Sequence, residues 1–113
     1  MIAPADQAVY DPRTLGELEE IFGADRLLDL LGRLKVEIGQ RLLASPSERG
    51  VLGHDAHTLL SVSGSLGFHD LSKRCSEMEQ ACLGGADLTA PLESARRAAA
   101  RAISAIGVIE AGA

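Results

Sequence analysis

Apolar residues recur along this chain at three- and four-residue intervals, the rhythm of amphipathic helices, and nothing alternates with the period of two expected of a half-buried strand. Leu27, Leu31, Leu34, Ile38 and Leu42 share one face of a helix predicted from about Asp25 to Leu43. Leu52, Ala56, Leu59, Ser63 and Leu66 share a face of the next, from near Ser47 to Leu66. Leu71, Cys75, Met78 and Cys82 continue the rhythm in a helix from His69 or Asp70 to Leu83. Leu88, Leu92, Ala95, Ala99, Ile103 and Ile106 form the inner side of a last one. A shorter leading helix carries Leu15, Leu18 and Phe22.

The punctuation between these runs agrees with them. Asp11-Pro12 pairs an N-cap with a proline at the first helical position, and Gly23 ends that short helix. Ser45-Pro46-Ser47 stops the second helix, Gly84-Gly85 the fourth, and Asp87 or Thr89 caps the last. Four amphipathic helices with short connections predict an all-α fold. The expected architecture is an antiparallel up-and-down four-helix bundle, with the short additional N-terminal helix as a lid.

At 113 residues, 46% of them apolar, the chain reads as a single domain over 1–113 with one core. Tyr10, Phe22 and Phe68 are its only aromatic residues, so the packing material is aliphatic, as suits helix on helix. The net charge of −5 and the lack of a Lys/Arg stripe argue against a nucleic-acid partner. Met1-Ile2-Ala3-Pro4-Ala5-Asp6 lacks the pattern of a signal peptide, and Ala102 to Ile109 falls well short of the ~20 residues of a membrane span. A cytoplasmic protein without membrane contact is expected. Cys75 and Cys82 are seven residues apart on one helix, roughly 10 Å by the helical rise, which is too far for a disulfide. Both fall on the apolar face and read as buried free thiols.

One face is unlike an ordinary solvated helix surface. With about 100° per residue, His57 lies opposite Leu52, Ala56, Leu59, Ser63 and Leu66 and so points outward. Its outer neighbours are Gly50, Gly53, His54, Leu60, Ser61 and Gly64, with Phe68 at the end. Each helical glycine costs about 1 kcal/mol against alanine, and exposed faces ordinarily carry Lys, Glu and Gln. Small residues around an exposed imidazole would let another protein's backbone come close.

The run Ala56-His57-Thr58-Leu59-Leu60-Ser61-Val62-Ser63-Gly64-Ser65-Leu66-Gly67 resembles the Ala-His-x-Leu-Lys-Gly-Ser-Ser-x-x-Leu-Gly signature of histidine phosphotransfer domains. Leu71, Cys75, Met78 and Glu79 resemble the family's Leu-x-x-x-Cys-x-x-Leu-Glu in the following helix, and Phe22-Gly23-Ala24-Asp25 its leading element. Two positions depart from the pattern: Leu60 stands where the family has Lys, and Ser61 where it has Gly.

The resemblance implies that His57 is the phosphoacceptor of a bacterial-type phosphorelay. It would take a phosphoryl group from an aspartyl phosphate on one response-regulator receiver domain and give it to another, with a hybrid histidine kinase as a further partner. An exposed imidazole is mostly neutral at cytoplasmic pH and keeps one nucleophilic lone pair. Phosphoryl transfer needs a metal to neutralise charge. No carboxylate pocket accompanies His57 and no nucleotide loop is present, so no cofactor is expected on this chain and Mg²⁺ is expected on the partner receiver domain. His54, Leu60 and Ser61 form the expected phosphoryl environment, with Ser61 or His54 as a hydrogen-bond donor in place of the Lys. Docking is expected on Gly53, Leu60, Ser61, Gly64 and Phe68.

Other groups read more plainly. His54 and His57 lack a third metal ligand, since His69 lies past the helix break. Arg96, Arg97 and Arg101 read as a solvated basic face, and Lys73 and Arg74 as i,i+3 or i,i+4 partners of Glu77 and Glu79. Two rival functions remain: a non-transferring module that binds and regulates a receiver or kinase, favoured by Leu60, and a helical dimerisation unit. A monomer is expected, because the bundle uses every strongly apolar face.

Overall fold

The computed structural model describes residues 9–43 and 48–112, all-helical with no strand among them. Five helices follow one another: α1 (Pro12–Phe22), α2 (Ala24–Ile38), α3 (Arg49–Ser65), α4 (His69–Leu83) and α5 (Thr89–Ala111). Over Gly39–Leu43, α2 continues as a wider π-helical turn, where the sequence predicts unbroken α-helix. The expected stop at Ser45-Pro46-Ser47 and the start near Ser47 lie outside the described residues.

The predicted apolar faces meet in one core. Leu27, Leu31, Leu34, Ile38 and Leu42 from α2 pack with Leu52, Ala56 and Leu59 from α3, Leu71, Cys75 and Met78 from α4, and Ile106 from α5. On α5 the buried positions are chiefly Ala95, Ala98, Ala99 and Ala102, while Leu92 and Ile103 are only half-buried. Small side chains bring that helix close to its neighbours and leave its larger ones at the margin. α3 and α4 are the most extensively paired helices; α5 packs on α4 and α2, and α1 on α2.

Turns and cross-helix ties fix the ends. Asp11 caps α1 by accepting from the Arg13 amide at 2.9 Å, and its own amide donates to the Gly67 carbonyl at 2.9 Å. That tie seats the start of α1 on the α3–α4 turn, where Gly67 has φ +85°. Arg41, on the π-helical turn, donates to Asp55 of α3 at 2.9 Å and also pairs with Glu37. Asp55 sits about 200° around the helix from His57. The Arg41 tie therefore anchors α3 on the side away from the exposed histidine.

The arginines expected to form a solvated face are each engaged. Arg96 donates to the Leu42 carbonyl at 3.1 Å, Arg97 pairs with Glu93, and Arg101 reaches Asp70 of α4 at 2.8 Å. Long side chains on α5 cross to their neighbours because the alanines beneath bring those helices near. Among the described residues no helix is long and apolar enough to cross a membrane.

Candidate functional site

His57 projects from the middle of α3, its side chain 67% exposed, and its Nδ1 lies 2.8 Å from Oε2 of Glu79 on α4. A carboxylate only accepts, so Nδ1 carries the proton and Nε2 retains its lone pair. The Glu79 side chain is 22% exposed, which limits water's competition for this bond. The geometry thus presents an oriented imidazole in one tautomer with a nucleophilic nitrogen beyond it.

Glycines explain how α4 comes near enough. A Cβ on Gly53 would stand 3.3 Å from Cβ of Cys82, and one on Gly64 would stand 3.2 Å from Oγ of Ser72. These two glycines bracket His57 along α3. Between them the Ser72 hydroxyl donates to the Leu60 carbonyl at 2.8 Å. The small residues expected to admit a partner's backbone also admit α4, while Gly53 and Gly64 each stay partly exposed. A Cβ at either position would require its α4 neighbour, Cys82 or Ser72, to give by a few tenths of an ångström.

One docking expectation is corrected. Phe68 is fully buried and stacks obliquely on Tyr10, ring centroids 5.5 Å apart, so it cannot be an exposed contact. It follows the glycine turn and tucks under α1 instead of extending the α3 surface. Leu60 is half-buried against the core and keeps part of its side chain at the surface. Ser61 is exposed as expected. It lines an apolar groove with Leu18, Phe22, Leu30 and Val62, on the α1–α2 side of α3.

On its other side, His57 lines a shallow groove with Arg49, Gly53, His54, Glu79 and Leu83. Leu83 is 79% exposed there. Arg49 is committed to the end of α4 and the turn after it, donating to the carbonyls of Ala81, Cys82 and Ala86 at 3.0, 3.3 and 2.7 Å. His54 shares the groove one helical turn before His57. Among the described residues no three His, Cys, Asp or Glu side chains come together in a way that could hold a metal ion. Cys75 and Cys82 are buried free thiols, and burial pushes the Cys75 thiol up to about 12.

The functional residue misjudged from sequence is Glu79. It bonds the histidine across the helix pair, whereas Glu77 alone takes the expected pairing with Arg74, at 3.1 Å. Its only signal was its place at the end of the Leu71-to-Glu79 motif, since it lies too far along the helix to pair with Lys73 or Arg74. Asp55 and Arg49 gave no signal, since their partners are remote in sequence.

A family model described as the Hpt domain matches residues 15–107, which span every helix. No curated protein and no solved structure gives a significant match.

Proposed function

The chain belongs to the Hpt domain family, the histidine phosphotransfer modules of two-component phosphorelays that interact with receiver domains and histidine kinases, and on that footing we propose that it is a phosphorelay intermediate. His57 is its phosphoacceptor, taking the group from one receiver's aspartyl phosphate and passing it to another receiver. The observation that carries this reading is the His57–Glu79 contact in the middle of α3. It leaves Nε2 unprotonated on an open surface.

In the forward step the Nε2 lone pair attacks phosphorus in line. The P–N bond forms as the bond from phosphorus to the aspartyl oxygen breaks, and that electron pair leaves on the aspartate carboxylate. Positive charge then appears on the imidazole ring, and Glu79 meets it at Nδ1–H. The reverse sequence discharges the carrier. The Mg²⁺ that neutralises the equatorial oxygens belongs to the receiver in this reading.

The apolar contact for the receiver shifts to the groove of Leu18, Phe22, Leu30 and Val62. Ser61, one turn beyond His57, makes that groove continuous with the phosphoacceptor face. Phe22 is 52% exposed at its rim, as an interface anchor would be. The antiparallel four-helix arrangement, the single domain over 1–113, a monomeric state and a cytoplasmic location complete the proposal.

A second reading follows from Leu60: a module that docks on a receiver or hybrid kinase and regulates it by occupancy, without transfer. The two separate on one experiment. Phosphorylated receiver domains with Mg²⁺ are mixed with wild type and with His57→Gln. Acid-labile label on wild type alone supports the carrier; binding to a receiver with no label on either protein supports the regulator.

A further inference from the structure

We propose that His54 is the phosphoryl-oxygen donor of this domain, placing a protonated imidazole against the phosphoryl group carried by His57. The inference rests on the phosphocarrier reading and adds a residue to its chemistry. It starts from a missing charge. The position three residues after His57 holds Leu60, which is half-buried against the core and has nothing to offer a phosphoryl oxygen. A phosphorylated imidazole on an open helix face still carries a dianionic group that favours a cation or strong donor nearby.

Few groups can supply one. Arg49 lines the same groove, but its guanidinium is spent on three carbonyls around the end of α4. Lys73 lines a different surface hollow with Tyr10, Asp11 and His69. Ser61, one turn beyond His57, lines the α1–α2 groove and not the one that His54, His57 and Glu79 share. His54 is exposed, shares the groove with His57 and Glu79, and makes no side-chain hydrogen bond or ion pair among the described residues. Residues three apart on a helix have Cβ atoms about 5–6 Å from each other, within reach of a phosphoryl oxygen extending from Nε2.

The charged groups around His54 fit the role. From its own helix Arg49 and His57 face the groove, and from α4 Glu79 does so, with Cys82 as the remaining polarisable group. Glu79 is engaged at His57 Nδ1, so the phosphoryl group becomes the main uncompensated negative charge facing His54. A histidine in place of a lysine makes the contact titratable. The protection that His54 gives phospho-His57 would grow as pH falls, opposing the acid lability common to any phosphoimidazole.

The test loads the full chain chemically with phosphoramidate, which needs no receiver, and follows His57 by phosphorus and imidazole-proton NMR. Phosphorylation should move the titration midpoint of His54 to higher pH. The half-life of phospho-His57 in His54→Gln should be several-fold shorter than wild type at pH 6 and converge on it by pH 9, while His54→Lys should match or exceed wild type throughout. An unmoved His54 midpoint, or a wild-type to His54→Gln half-life ratio flat across pH, would overturn the proposal. Loading of His57 without label from any receiver would sink the relay reading and leave the His54 result standing. Failure of His57 to load at all would overturn both.

Discussion

Nδ1 of His57 and Oε2 of Glu79 stand 2.8 Å apart across the α3–α4 interface, joining an exposed nucleophile to a largely covered carboxylate. In the proposed relay the carboxylate would fix the tautomer before phosphorylation and compensate the ring's charge after it. Glu79→Gln preserves the shape but can present its amide N–H to Nδ1 and favour the wrong tautomer. A charge-assisted hydrogen bond contributes about 1.5–3 kcal/mol, and the exposure of His57 places this one toward the lower end. The rate of phosphoryl uptake from a receiver should fall about tenfold or somewhat more. Thermal stability should barely change. Stopped-flow or gel-based transfer kinetics would show it, and an unchanged rate would remove Glu79 from the mechanism.

Two phenylalanines exchange the roles that their sequence positions suggest. Phe68 ends the motif containing His57 yet is fully buried against Tyr10, whereas Phe22 closes the short leading helix yet is 52% exposed. Phe68→Ala should cost about 3–5 kcal/mol of stability by cavity formation, read as a lowered urea midpoint. Phe22→Ser should leave that midpoint nearly untouched and weaken receiver binding about tenfold, measured by titration calorimetry. Equal binding by wild type and Phe22→Ser would move the docking surface away from the α1–α2 groove.

The same exchange shows where the sequence was readable. Four helices and their inward faces follow from residues such as Leu31, Leu59 and Met78, because burial imposes a period and the period is visible. His57 was readable for a related reason: it lies opposite a well-defined core face. What escaped depends on pairs far apart in sequence. Glu79 is 22 residues from His57 and Arg96 is 54 from Leu42, and no local spacing encodes such meetings. Gly53 and Gly64 were noticed as unusual, but their closeness to α4 was not read from the sequence. A helical wheel reports the angle of a residue on its helix without identifying the helix that lies along that angle.

Gly67 links the end of α3, the helix of His57, to the start of α1. Its φ of +85° disfavours any other residue, and a Cβ would sit 3.0 Å from Cβ of Thr14 and 3.4 Å from the Asp11 carbonyl oxygen. Gly67→Ala should therefore lose roughly 1–3 kcal/mol, combining backbone strain with overpacking. Gly85 provides the control, since its φ is +72° and a Cβ there would meet nothing within 4 Å. Gly85→Ala should be the milder substitution, carrying the strain without the collision. Equal losses in calorimetric scans would mean that α1 yields to the extra methyl.

Acid should loosen the helix starts through two aspartates, the partly exposed Asp11 and the exposed Asp87. The backbone N–H of Arg13 and the Thr14 hydroxyl hold Asp11 below the ordinary carboxylate value of 3.8, and the amide and hydroxyl of Thr89 do the same to Asp87. A depressed folded-state value means that the unfolded chain binds protons more readily, so stability rises with pH through this range. The contribution is fully present above 3.8 and is lost as pH falls below it toward the folded-state values. Asn caps a helix about as well as Asp but does not titrate. Asp11→Asn should therefore match wild type closely near neutrality and lose less of its urea midpoint between about pH 5 and pH 2. The double variant with Asp87→Asn should lose less still, because the caps lie on separate helices and their effects should add. Parallel acid curves for all three proteins would assign the loss to the other carboxylates, with the partly buried Asp55 against Arg41 as the first to replace.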